Sequence, residues 1–299
     1  MTLVITHCTK RKRSVPLQDL CAHRLSAGPT GQVVKDWAMR LSAASPAVKA
    51  RDLYAGRGLS EARRAADSVG GRLAIISAGL GLVDGDTLVP AYSLTTIGGD
   101  PDDIRLKTGA SRSEWWTAIQ SASPFAGTLR MPDGLILAAV SAPYLEMVAA
   151  DWSSWPSADL ERLRLFSKAA PTGAAAALRD AWMPYDDRLD AAGTGFAGTQ
   201  GDFAQRALRH FATAIAVTGS QDGDRVAVDS ALAGLAHRAR TVRRRIDDDA
   251  IKDTIRREWS AADGQSTKML RRLRDTLGLA CEQGRFKTLF NEVKAERTS

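Results

Sequence analysis

The chain has 299 residues, 44% apolar and 25% charged, which is the balance of a globular protein long enough for one large domain or two ordinary ones. No apolar run approaches the ~20 residues that cross a bilayer, and the start MTLVITHCTKRKR sets its apolar stretch ahead of its charges, so a cytoplasmic protein without a membrane partner is expected. A formal charge of +7 suits a polyanionic partner, and three cysteines (Cys8, Cys21, Cys281) without framework spacing argue against structural disulfides.

In chain order, residues 2–6 read as a first strand that delivers His7, Cys8, Thr9 and Lys10 to its carboxyl end, with the basic run Lys10 to Arg13 directly after it. Residues 32–42 have the spacing of an amphipathic helix. Residues 49–54 read as a short extended segment, and 59–69 as a helix stopped by Gly70 and Gly71. The most informative stretch follows, RLAIISAGLGLVDGDTLVPAY from Arg72 to Tyr92. Its β-branched run over 73–76 is the pattern of a buried parallel strand. Gly79 and Gly81 allow close backbone approach, and Asp84, Asp86, Pro90 and Tyr92 follow in a loop. Ligands of open α/β sheets sit beyond the carboxyl ends of such strands, so a small polar and aromatic site is expected here.

Residues 113–121 predict another helix and 135–140 a third apolar strand, followed by Ser141-Ala142-Pro143-Tyr144, whose proline suits the first turn of a helix reaching Ala150. A fourth strand over 163–166 and a helix over 174–182 are expected. Residues 183–201 lack periodicity and read as a functional or mobile loop, and 202–216 form a helix with Phe203, Ala207, Phe211 and Ala214 on one stripe. The alternation predicts an α/β fold, a three-layer open sheet over residues 1–215. The remaining 216–299 read as a helical region, with helices over 226–245, 249–261, 267–277 (capped by Ser266) and 281–294. The Gly278 turn between the last two is compatible with helix-turn-helix geometry. Its cations Arg243, Arg244, Arg245, Arg271, Arg272, Arg274, Arg285 and Lys287, along with Arg238, Arg240, Arg256 and Arg257, are candidates for DNA contact or, alternatively, for the solvated face of a bundle.

The segments CTKRKR, DLYAGRGLSEARR and ISAGLGLVDGDTLVPAY together resemble a bacterial and phage domain family with a Cys-Ser/Thr-Lys-Lys start, a Leu-Tyr segment and a Ser-Ala-x-x-Gly-Leu…Pro-Tyr block. More distantly the pattern is similar to the YaaA peroxide-stress family, whose third strand end resembles Ser141 to Tyr144, and both resemble uracil-DNA-glycosylase-like domains of archaeosine-tRNA enzymes. The resemblance covers roughly residues 1–150 and departs where Ala91 separates Pro90 from Tyr92. It implies a uracil-DNA-glycosylase-like sheet and base chemistry on nucleic acid, in particular a DNA glycosylase that excises modified phage bases in antiviral defence.

Cleavage of an N-glycosidic bond passes through an oxocarbenium-like state that a carboxylate stabilises, while the departing base needs hydrogen-bond donors and a flipped base an aromatic slot. Asp86 and Asp52 are the candidate catalytic carboxylates. Cys8, Lys10, Lys12, Tyr54, Gly79, Gly81, Tyr92, Ser141 and Tyr144 are the candidate base- or nucleotide-binding residues. No cofactor is expected, and His7, Cys8, Cys21 and His23 lack ordinary zinc spacing, so no metal is expected. Covalent catalysis by Cys8 is disfavoured because adjacent strand side chains, His7 and Cys8, point to opposite faces. Two other readings stay open: a base-exchanging transglycosylase, and a non-catalytic nucleotide-sensing or DNA-binding regulator using the same pocket.

Overall fold

A computed structural model describes residues 1–127, 131–238 and 243–298. In chain order, β1 (Leu3–His7), α1 (Thr30–Ala43), β2 (Val48–Lys49), α2 (Ala50–Leu53) and α3 (Arg57–Ser68) lead into β3 (Arg72–Ser77), β4 (Gly81–Asp84) and β5 (Leu88–Val89). Then come α4 (Arg105–Thr108), α5 (Arg112–Ala122), β6 (Ile136–Ala139), α6 (Ala142–Ser153), α7 (Ser157–Arg162), β7 (Leu163–Phe166), α8 (Phe203–Ala214) and α9 (Gln221–Leu232).

The five-stranded sheet has the order β4-β3-β1-β6-β7. All neighbours are parallel except β3 and β4. The near-continuous apolar runs LVITH, RLAIIS and ILAA are buried along most of their length, as parallel strands covered by helices must be. α3 and α8 pack on each other and over β1 and β6, while α5 packs against α1 and α6. The chain leaves β1 first for β3 on one side and then for β6 on the other. β1 therefore marks the switch point, and the carboxyl ends of β1, β3 and β6 form the rim where an open sheet binds ligands.

Several elements differ from expectation for local reasons. Residues 50–53 close into the helical turn α2 instead of staying extended, and only 3₁₀ structure, Gly173–Leu178, replaces the helix expected over 174–182. The segment 183–201 is folded onto the core through buried Met183, Tyr185 and Leu189. Its polar composition reflects the hydrogen-bonded 3₁₀ turn Asp187–Ala191, capped by the Asp186 carboxylate. The helix expected over 226–245 ends at Leu232; residues 239–242 lie outside the described residues, and Arg244–Arg245 form strand β8, paired with β9 (Leu279–Ala280).

The chain divides into compact units at 237/238, not at 215/216. α9 belongs to the first unit because Val228 and Leu232 are buried in its core and because Asp224 accepts from Arg164 Nε at 2.6 Å, both side chains fully buried. The second unit has its own core of Ile251, Ile255, Met269, Leu273, Phe286, Leu289, Phe290 and Val293 around α10 (Asp248–Arg257), α11 (Ser266–Arg271) and α12 (Gln283–Thr298). α11 runs on into a π turn at Arg272–Thr276 and β9 intervenes before α12. That joint is longer than the about 3–4-residue turn of a helix-turn-helix motif.

Breaking the Arg164–Asp224 pair from one side leaves a guanidinium in the core with no countercharge. Asp224→Ala is expected to cost about 3–5 kcal/mol in denaturant unfolding, more than a double replacement of both residues by apolar ones.

Candidate functional site

The carboxyl end of β3 turns directly into β4 through Ala78-Gly79-Leu80, and side chains satisfy two carbonyls and one amide of this buried turn. Trp115 Nε1 donates to Ala78 O at 2.8 Å, Trp37 Nε1 to Gly79 O at 2.7 Å, and Leu80 N to Ser77 Oγ at 3.0 Å. A Cβ on Gly79 would collide with the Tyr92 ring, and one on Gly81 would stand 2.8 Å from Ala126 Cβ. The two glycines thus admit the protein's own side chains at close range.

Tyr92 is thereby held with its hydroxyl 2.7 Å from Ser77 Oγ and 3.0 Å from the Tyr54 hydroxyl, and Tyr54 donates to Ser77 Oγ at 3.2 Å. Beside this triangle, Cys8 Sγ lies 3.0 Å from the Tyr144 hydroxyl. Burial raises all three phenols above the ordinary tyrosine range, so they are neutral donors and acceptors at neutral pH.

The basic run after β1 folds over this cluster. Arg13 N donates to Leu53 O at 2.8 Å and Ala55 N to Arg11 O at 2.9 Å, while Lys12 bridges Tyr54 in the backbone ladder. Lys12 Nζ sits 4.2 Å from the Tyr92 ring centre and 5.8 Å from that of Tyr54. Lys10 pairs with buried Asp100. Next to it, Asp102 accepts from Ser93 Oγ at 2.6 Å and from His23 Nδ1 at 2.7 Å. His7 stacks on Tyr144 with ring centres 4.4 Å apart. Its Nδ1 donates to Cys8 O at 3.0 Å and its Nε2 accepts from Gln205 Nε2 at 3.1 Å, which is the neutral tautomer. His7 and Cys8 therefore both meet Tyr144 despite their adjacency, because β1 ends at His7 and Cys8 has left the strand alternation.

Cys8, Lys12, Tyr54, Gly79, Tyr92 and Tyr144 are brought together, with Ser141 as N-cap of α6 one turn before Tyr144. Asp86 and Asp52 are not. β4 runs antiparallel, back along β3, so Gly85 pairs with Leu73 at the amino end of the sheet. There Asp86 is exposed and ion-paired to Lys49 at 3.0 Å and Arg51 at 3.1 Å. Asp52, on α2, pairs with Arg63 at 2.9 Å. The expectation that the loop after the central strand stays at its carboxyl end thus fails on a hairpin. Asp100, Asp102, Ser77, His7 and Gln205 complete the cluster instead. His7 lies at the expected end of the first strand and Ser77 directly after the β-branched run, whereas Asp100, Asp102 and Gln205 carry no periodicity or spacing signal of their own.

In the second unit, Arg243 is held by Arg274 O and Asp275, Arg285 by Asp248 and Ile246 O, Arg274 by Cys281 O, and Arg272 by Glu258. Arg244, Arg245, Arg271 and Lys287 are exposed and make no ion pair among the described residues. Among the described residues one cluster has the composition of a metal site, Asp186, Asp187 and His237; His7, Cys8, Cys21 and His23 form none. No helix is long and apolar enough to cross a membrane among the described residues. Comparison with known protein families, curated proteins and solved structures gives no match.

Burial lowers the pKa of both His7 and His210, the latter also through Arg209. A depressed histidine leaves the unfolded chain binding more protons, so its stabilising effect is full above the ordinary value of about 6.5 and is lost as pH falls through the folded-state value. The melting temperature is expected to fall between pH 8 and 5.5, and His7→Asn is expected to flatten that decline.

Proposed function

We propose that the chain is a nucleic-acid N-glycosidase, with a uracil-DNA-glycosylase-like sheet that holds a flipped, modified base at the carboxyl ends of β1, β3 and β6. One observation carries this reading. The three sequence segments that resemble the base-processing family meet at one point, the Lys12–Tyr54 bridge and the Tyr54–Ser77–Tyr92 triangle. The stacked His7–Tyr144 pair offers an aromatic wall for a base, and Lys12 offers a donor to the departing ring. The carboxylate role passes from Asp86 and Asp52 to Asp102, which is largely buried, oriented by Ser93 and His23, and within electrostatic reach of Lys12. The exposed cations of the second unit would hold DNA backbone. Excision of phage-modified bases in the cytoplasm is the setting this reading implies.

A second reading, a sensor that binds a base without turnover, is favoured by a specific feature: the triangle's hydroxyls are satisfied by one another, and among the described residues no carboxylate hydrogen-bonds to them.

The test is mass analysis of bases released from heavily modified phage DNA. Asp86→Asn and Asp52→Asn are expected to release base at the wild-type rate, whereas Asp102→Asn loses about 10²–10³-fold if it stabilises developing positive charge. Binding of modified DNA with no release by the wild type transfers the site to the sensor reading.

DNA affinity is expected to fall steeply with salt. The Arg244→Ala, Arg245→Ala, Arg271→Ala triple variant should weaken binding across sequences alike and lower the log–log salt slope by about one for each phosphate no longer neutralised. An unchanged slope removes the second unit from the interface.

A further inference from the structure

Lysines near the carboxyl end of β1 are in contrasting states. Lys10 is neutralised by Asp100, and the more distant Lys49 by Asp86. Lys12 is half-buried, yet among the described residues no carboxylate pairs with it; its Nζ lies over the Tyr92 ring, with Lys10 O at 3.5 Å as its one hydrogen-bond acceptor among those residues. Its backbone is fixed by the bridge to Tyr54, so the amine is held at the rim where the sheet presents its ligand site. An amine kept out of ion pairs, partly buried against aromatic rings yet still partly exposed, is placed as an attacking lysine must be.

We propose that Lys12 is the nucleophile of this site and forms an imine with C1′ of the deoxyribose. This rests on the glycosidase reading. Lys12 Nζ attacks C1′, and the C1′–N bond to the base breaks with its electron pair on the base, which takes up the proton the amine gives up. The nitrogen lone pair then opens the sugar: the C1′–O4′ bond breaks, O4′ is protonated by water, and C1′ is left double-bonded to the protonated Lys12 nitrogen. Water adds to C1′ and returns the amine and an abasic aldehyde. Burial, partly offset by Cys8 and Asp102, lowers the Lys12 pKa and so raises the share of free amine near neutral pH.

The reverse of the last step gives the test, because an abasic-site oligonucleotide condenses with the same amine whatever the natural base. The full chain is incubated with abasic-site DNA and sodium cyanoborohydride, which delivers hydride to the imine carbon and leaves a stable secondary amine. The adduct is then located by peptide mass mapping. The expected result is a covalent adduct on Lys12, lost in Lys12→Arg, which keeps the charge but cannot form the imine, and retained in Lys35→Gln on the exposed face of α1. No adduct, an adduct mapping to any other lysine, or an undiminished adduct in Lys12→Arg overturns the proposal. Base release from modified DNA is measured beside it. Release without an adduct sinks Lys12 and leaves the glycosidase, whereas an adduct on Lys12 without release keeps the amine and sinks the glycosidase reading.

Discussion

A buried turn must find partners for its carbonyls, and the turn after β3 finds them in two indoles that come from far along the chain. Trp37 on α1 and Trp115 on α5 each commit their single donor to this turn, at Gly79 O and Ala78 O. Those two bonds tie both helices to the carboxyl end of the central strand. The absent side chain of Gly79 lets the Tyr92 ring come close against the backbone, where its hydroxyl bonds Tyr54 and Ser77. Take away the close approach and neither the tyrosines nor the strap above them has a fixed seat.

The same demand for partners explains how charge is distributed. The chain carries many more cations than its fold neutralises at the rim. Where arginines occur in the first unit they are largely consumed by structure. Arg206, nearly fully buried, is shared between Asp202 and Asp190, while Arg57 and Arg209 converge on buried Glu61 between α3 and α8. These pairs hold α8 over the sheet, and α8 delivers Gln205 to Thr6 and His7. Among the described residues, cations without an ion pair include Lys12 at the rim, Arg11, Arg13 and Lys35 elsewhere in the first unit, and a scattered exposed set in the second unit. Net charge alone would have suggested a broad basic face.

Strand positions were legible in the sequence because β-branched runs bounded by glycine, proline and charge have few alternatives. The residue runs of β1, β3, β6 and β7 were readable to within a residue or so. Half of the site was readable too, since Cys8, Lys12, Tyr54, Tyr92 and Tyr144 all sit at or just past strand ends or beside helix starts. The carboxylates were not. Asp86 follows the central strand in sequence, but whether a chain continues outward or doubles back depends on pairing energy between β3 and β4, which no periodicity encodes. Asp102 lies in an irregular stretch, and its partners His23 and Ser93 are joined to it only by tertiary folding. The helix expected over 226–245 failed for another reason: its apolar spacing continues, but Ala233 turns extended and Gly234, at a left-handed φ of 76°, completes a turn closed by Leu235 N to Leu232 O.

The triangle of Tyr54, Ser77 and Tyr92 has a further property as a closed loop of hydroxyls. Because Tyr54 donates to Ser77, the loop closes in one sense, Ser77 giving its proton to Tyr92 and Tyr92 to Tyr54, and all its protons are then committed internally. Toward anything outside, such a loop shows lone pairs only, and Leu80 N already occupies one of them on Ser77. Tyr54, Ser77 and Tyr92 are buried, so the loop bonds outward only to a group brought against it. An N–H so placed meets a lone pair and leaves the circulation intact, whereas a carbonyl or ring nitrogen gains a proton only when one hydrogen bond of the loop is given up.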